Sequence, residues 1–107
     1  MRRMSLAAVF AVLLAAPALA LTPRQLTPRE QQVYQTVKND PNEAAAFLAT
    51  REYVRKAQAV INGSLPAIKM PDKPANFEDQ YLFPGEVDLV NRAVSLALFA
   101  LMDSGMA

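Results

Sequence analysis

Residues 86–103 read EVDLVNRAVSLALFALMD. Val87, Val90, Val94, Ala97 and Leu101 return every three or four positions, the spacing of one face of a helix. Leu89, Ala93, Leu96 and Ala100 widen that seam on one side, and Leu98 and Met102 widen it on the other. Only Asp88, Asn91, Arg92 and Ser95 form a polar strip, and Phe99 falls on the same side as that strip. Such a helix is about five turns, or roughly 27 Å, long. A helix apolar over most of its circumference is buried in its own fold or covered by a partner. The rest of the chain is therefore read for what it could lay against this helix.

Immediately upstream, residues 63–85 carry prolines at 66, 71, 74 and 84. A solvated linker would be polar. This segment instead contains Leu65, Ile68, Met70, Phe77, Tyr81, Leu82 and Phe83, so it reads as an ordered Pro-rich strap packed on the helices. Residues 65–73 are expected to be extended. Asn76 is placed to cap a short helix from Phe77 to Leu82 or Phe83, with Asp79 in the box position and Pro84 closing it.

Before the strap, a second long helix is expected over 41–62. Asp40 is its N-cap, Pro41 takes the first helical position, Glu43 sits three after the cap, and Gly63 can end it in the left-handed conformation. Phe47, Thr50, Val54, Ala57 and Ile61 form its seam, flanked by Ala46, Tyr53 and Val60. Arg51, Glu52, Arg55, Lys56 and Gln58 lie opposite, with Glu52 and Lys56 spaced for a weak surface pair. The two long helices are expected to pack antiparallel, with Phe47, Val54 and Ile61 facing Val90, Val94, Ala97 and Leu101.

A shorter helix is expected over 28–38, started by Thr27, Pro28 and Glu30 as a capping box. Its apolar face, Val33, Tyr34 and Val37, is too thin to stand alone and should dock near Leu48. Thr27-Pro28-Arg29-Glu30 closes a small tandem, LTPRQ then LTPRE over residues 21–30, and residues 21–27 read as a flexible arm. The fold class is thus all-α: a small bundle of two long antiparallel helices, a short N-terminal helix and a strap.

Residues 1–20, MRRMSLAAVFAVLLAAPALA, read as a cleaved secretory signal peptide. Arg2 and Arg3 form the charged start, Leu6 to Ala16 the short apolar core, and Ala18-Leu19-Ala20 the small-x-small cleavage site. The paired arginines raise the twin-arginine route, but their context favours Sec-type export to the bacterial periplasm or medium. Removing 20 of the 107 residues leaves 87, a single domain over 21–107 with no integral membrane anchor. Without Arg2 and Arg3, the 11 basic side chains become 9 against 10 acidic ones, so no basic excess points to nucleic acid.

The chain contains no histidine and no cysteine. The commonest acid–base group, thiol nucleophiles and ordinary zinc sites are therefore missing, as are disulfide staples. Glu78, Asp79, Glu86 and Asp88 are close in sequence but do not make the dense oxygen-rich loop that calcium needs. No catalytic residue, metal site or cofactor is expected, and the chain reads as a non-enzyme. The one polar constellation suited to a carboxylate or phosphate ligand is Arg51, Arg55 and Lys56 with Tyr53 nearby. Its plainer reading is a solvated face, or arginines paired with carboxylates such as Glu78 or Asp79. The first functional expectation is an exported module that binds a protein partner or itself through Leu89, Leu96, Phe99 and Met102. The alternative is a carrier of a small apolar ligand held beneath Phe77, Tyr81 and Phe83.

Overall fold

The computed structural model describes residues 21–70 and 72–105. The signal peptide expected over 1–20 lies outside the described residues. Among them there is no strand, and three α-helices follow in order: α1 (Pro28–Val37), α2 (Pro41–Ile61) and α3 (Glu86–Asp103). Short 3-10 turns occupy Pro23–Gln25, Ala67–Lys69 and Asp79–Tyr81. No helix among the described residues is long and apolar enough to cross a membrane.

The helix starts follow from side-chain chemistry. At α1 the Glu30 N–H donates to Thr27 Oγ1 at 3.1 Å, while Thr27 N–H donates to the Glu30 carboxylate at 2.9 Å. Each group satisfies a backbone donor that the first helical turn leaves free. At α2 the Asp40 carboxylate accepts from the N–H groups of Asn42 and Glu43. At α3 the cap is Gly85 at φ 88°, with no side-chain bond of its own. That left-handed turn suits glycine, which has no Cβ to clash. The Phe83 N–H donates at 2.5 Å to the Glu86 carboxylate.

The core forms two clusters strung along α2. One gathers Leu26, Val37, Ala46, Phe47 and Tyr81, with Val33, Tyr34 and Leu48 packed against it. The other gathers Tyr53, Val54, Ala57, Val60, Val90 and Ala93, with Ile61, Leu65, Met70, Phe77, Leu82, Leu89 and Val94 around it. The first half of α2 thus meets the arm, α1 and the end of the strap, and the second half meets α3.

Several expectations are corrected here. Phe47 does not face α3; it lies edge-on to Tyr81, with ring centroids 5.4 Å apart, in the α1 cluster. Val87, assigned to the α3 seam, is 54% exposed, because the inward face of α3 is rotated onto Val90 and Ala93. The short helix expected from Phe77 to Leu82 or Phe83 is reduced to the Asp79–Tyr81 turn, with Glu78 at its cap position and no cap from Asn76. Residues 67–69 form a 3-10 turn within the stretch expected to be extended. Residues 21–27, read as a flexible arm, hold the Pro23–Gln25 turn, with Thr22 N–H donating to Gln25 Oε1 and Leu26 buried.

Candidate functional site

Arg51 sits one turn before Arg55 on the side of α2 opposite its seam, where the sequence suggested an open cationic face. The fold closes over it. Arg51 is buried, and all three of its guanidinium nitrogens donate within the chain. Nε–H donates to Glu30 of α1 at 2.7 Å; Nη1–H donates to Glu86 of α3 at 2.6 Å and to the Tyr81 carbonyl at 2.9 Å; Nη2–H donates to the second Glu86 oxygen at 2.7 Å. The Arg51–Glu86 contact is bidentate, the geometry in which a planar guanidinium binds a carboxylate most strongly. Arg55 donates to Glu30 and to the Gln25 carbonyl. Above this cluster the Arg51 and Arg29 guanidinium carbons lie 4.0 Å and 4.3 Å from the centre of the Phe83 ring. Both are within range for attraction to the ring's negative face.

The electrostatics are those of a neutralised interior. Burial opposes the charge on Glu30 and Glu86, but the hydrogen bonds from Arg51, the Thr27 and Phe83 N–H groups, and the neighbouring arginine charges outweigh it. Both carboxyls therefore sit below the ordinary carboxylate value. Burial likewise opposes the charge on Arg51, and its two carboxylate partners more than offset that, raising its pKa. Burial raises the Tyr81 hydroxyl as well, helped by its 2.9 Å hydrogen bond to Glu43.

The four residues considered for an anion site are thus dispersed among other partners. Arg51 and Arg55 converge on Glu30. Tyr53 lies in the other cluster, edge-on to Phe77 at 5.4 Å. Lys56 pairs with Glu52 at 3.1 Å, the surface pair expected from their spacing. Among the described residues, no buried side-chain polar atom lacks a hydrogen-bond partner, so none is left aimed at an absent ligand. The arginines do pair with carboxylates, but with Glu30 and Glu86 rather than Glu78 or Asp79. From the sequence, Glu30 reads as a capping-box residue and Glu86 as a helix-start carboxylate near Glu78, Asp79 and Asp88; neither reads as a partner of Arg51. Their second task depends on α1 and α3 converging on one point of α2, which no local spacing encodes.

The strap aromatics also part company: Phe77 packs on Tyr53, Tyr81 on Phe47, and Phe83 under the arginines. A separate cleft of about 210 Å³ lies between α2, the strap and α3, lined by Tyr53, Met70, Asp72, Lys73, Val94, Ala97, Leu98 and Leu101. The expected interface residues divide. Leu89 packs partly against the core, while Leu96, Phe99 and Met102 are 43%, 62% and 62% exposed. Leu98 joins them, at 57%. No protein-family model, no curated protein and no solved structure matches this chain.

Proposed function

We propose that the protein is a small exported, non-enzymatic helical module that acts by protein–protein contact through the C-terminal half of α3, with self-association as its simplest form. The observation that carries this reading is the bare apolar surface of Leu96, Leu98, Phe99 and Met102, concentrated within two turns. A patch of this kind on a small chain commonly marks an interface. The polar groups argue the same way: the arginines that could have held a small anion are already neutralised.

A second copy is a chemically apt partner. Arg92, Leu96, Phe99 and Asp103 are all exposed and recur at spacings of four, three and four, the repeat of a helix-pairing seam. A two-fold axis between Leu96 and Phe99 of antiparallel α3 helices sets Arg92 against the partner's Asp103 at both ends. Among the described residues, neither Arg92 nor Asp103 forms an ion pair within its own chain.

Light scattering at micromolar concentration is the test. The mature chain should run as a dimer, and Phe99→Asp as a folded monomer. Arg92→Asp should weaken association, and adding Asp103→Arg should restore it. A wild-type monomer with no retained molecule would defeat the proposal. The second reading, a carrier of a small apolar ligand, rests on the apolar walls of the Tyr53–Leu101 cleft. A monomer that retains such a molecule in native mass spectrometry would favour it.

A further inference from the structure

The Leu21 backbone nitrogen donates to Glu52 Oε1 of α2 at 3.0 Å, across 31 residues of sequence and in a part-buried setting. Leu21 is also the residue that follows the small-x-small site Ala18-Leu19-Ala20. These two facts come from independent sources, one from contact geometry and one from the leader pattern. We infer that Glu52 is the docking site for the amino terminus that leader removal creates, so that processing itself locks the arm onto α2.

The inference rests on the export reading and adds a consequence to it. A leader peptidase hydrolyses the Ala20–Leu21 bond with one water, leaving a carboxylate on Ala20 and an ammonium on Leu21. Before cleavage, the Leu21 nitrogen is a neutral amide with one hydrogen to donate. After cleavage, it carries a full positive charge and three hydrogens, opposite a carboxylate. The neutral contact becomes a charge-assisted one at the same place. Glu52 can receive it, because its other oxygen faces Lys56 at 3.1 Å and the first oxygen faces Leu21.

The surroundings make this contact the outer end of a fastening. Gln31 Nε2–H donates to the Pro23 carbonyl at 2.6 Å, and Arg55 donates to the Gln25 carbonyl at 2.9 Å. Leu26 is buried next. The arm so held runs from Glu52 to the start of α1, beside the Glu30–Arg55 pair. Processing thus strengthens the cover over the charge cluster only after the leader has gone.

The experiment exports the full chain from a bacterial host and collects the product from the periplasm or medium. Intact mass and N-terminal sequencing then define its first residue. Leucine aminopeptidase, which acts on a free terminal leucine, reads whether that terminus is docked. The wild type should begin at Leu21 and lose that leucine more slowly than Glu52→Gln, by up to about fivefold, the range for a partly exposed ion pair. Glu52 lies outside the Arg51 cluster, so the variant should keep its helical dichroism; Lys56→Gln, which disturbs the same carboxylate without removing it, should stay near the wild-type rate. A product retaining residues 1–20, or beginning elsewhere, overturns the proposal together with the export reading. A product beginning at Leu21 whose leucine is lost equally fast in wild type and Glu52→Gln overturns the docking alone.

Discussion

The two long helices differ in a way their sequences reverse. α3 is the more apolar, yet of its residues only Val90 and Ala93 are buried. α2 carries a charged face, yet it buries eight residues, Arg51 among them. The difference lies in what the chain has available to lay on each. The arm, α1 and the Asp79–Tyr81 turn all collect on the first half of α2, and α3 meets its second half. α3 receives α2 and the Ala67–Lys69 region, which leave its outer side bare. Apolarity says that a surface seeks cover; topology decides whether its own chain supplies it.

The largest effect expected from this asymmetry is at Arg51. Arg51→Ala leaves Glu86 without its bidentate partner and Glu30 with Arg55 alone. Removing one partner of a buried pair costs about 3–5 kcal/mol. Urea unfolding at neutral pH should show that loss, and the deficit should shrink in acid as the two carboxylates gain protons. A variant as stable as wild type at neutral pH would mean that the cluster is not closed in solution.

Phe47→Ala and Phe99→Ala compare the helices directly. Phe47 is fully buried in α2, and its truncation should cost about 3–5 kcal/mol. Phe99 is 62% exposed on α3, and its truncation should change single-chain stability by no more than about 0.5 kcal/mol, while weakening association. Unfolding at a concentration low enough to dissociate any dimer isolates the single-chain term. Equal losses at the two sites would erase the contrast.

A smaller, graded effect follows from pH. Glu30 and Glu86 have folded pKa values below the ordinary 4.5. The unfolded chain therefore binds more protons than the native one in this window, and stability rises with pH across it. Their contribution is complete above about pH 4.5 and is lost as pH falls through the lower folded values. Urea midpoints between pH 6 and pH 3 should fall for wild type and fall less for Glu30→Gln. A modest effect is also expected at Tyr81: Tyr81→Phe removes its hydrogen bond to Glu43, worth about 0.5–1.5 kcal/mol. A loss near that of Phe47→Ala would mean that the hydroxyl's contact with Glu43, rather than the buried ring, holds this end of the strap.

Helix identity and extent were legible because they are local. Thr27, Asp40, Pro28, Pro41 and Gly63 mark starts and stops by chemistry within a few residues, and α1 and α2 fall where those marks put them. Partnership was not legible. Thr50 looked like one more seam residue, yet its hydroxyl accepts from Glu78 N–H of the strap at 3.1 Å. Glu43 looked like a cap partner, yet it accepts from Tyr81. For Thr50 and Glu43, spacing suggests the local use, and only the closed chain provides the distant one.

The Arg51 cluster takes one ligand from each of three helices: Glu30 from α1, the guanidinium from α2 and Glu86 from α3. α1 has only ten residues and a thin apolar face, so alone it would fray readily. Lifting it away uncovers Arg51 and strands half of its charge balance. The small helix therefore cannot open cheaply as a separate unit, because its departure disturbs the pairing that also fixes α3 to α2. Amide hydrogen exchange in the middle of α1 should accordingly follow whole-molecule unfolding rather than local fraying.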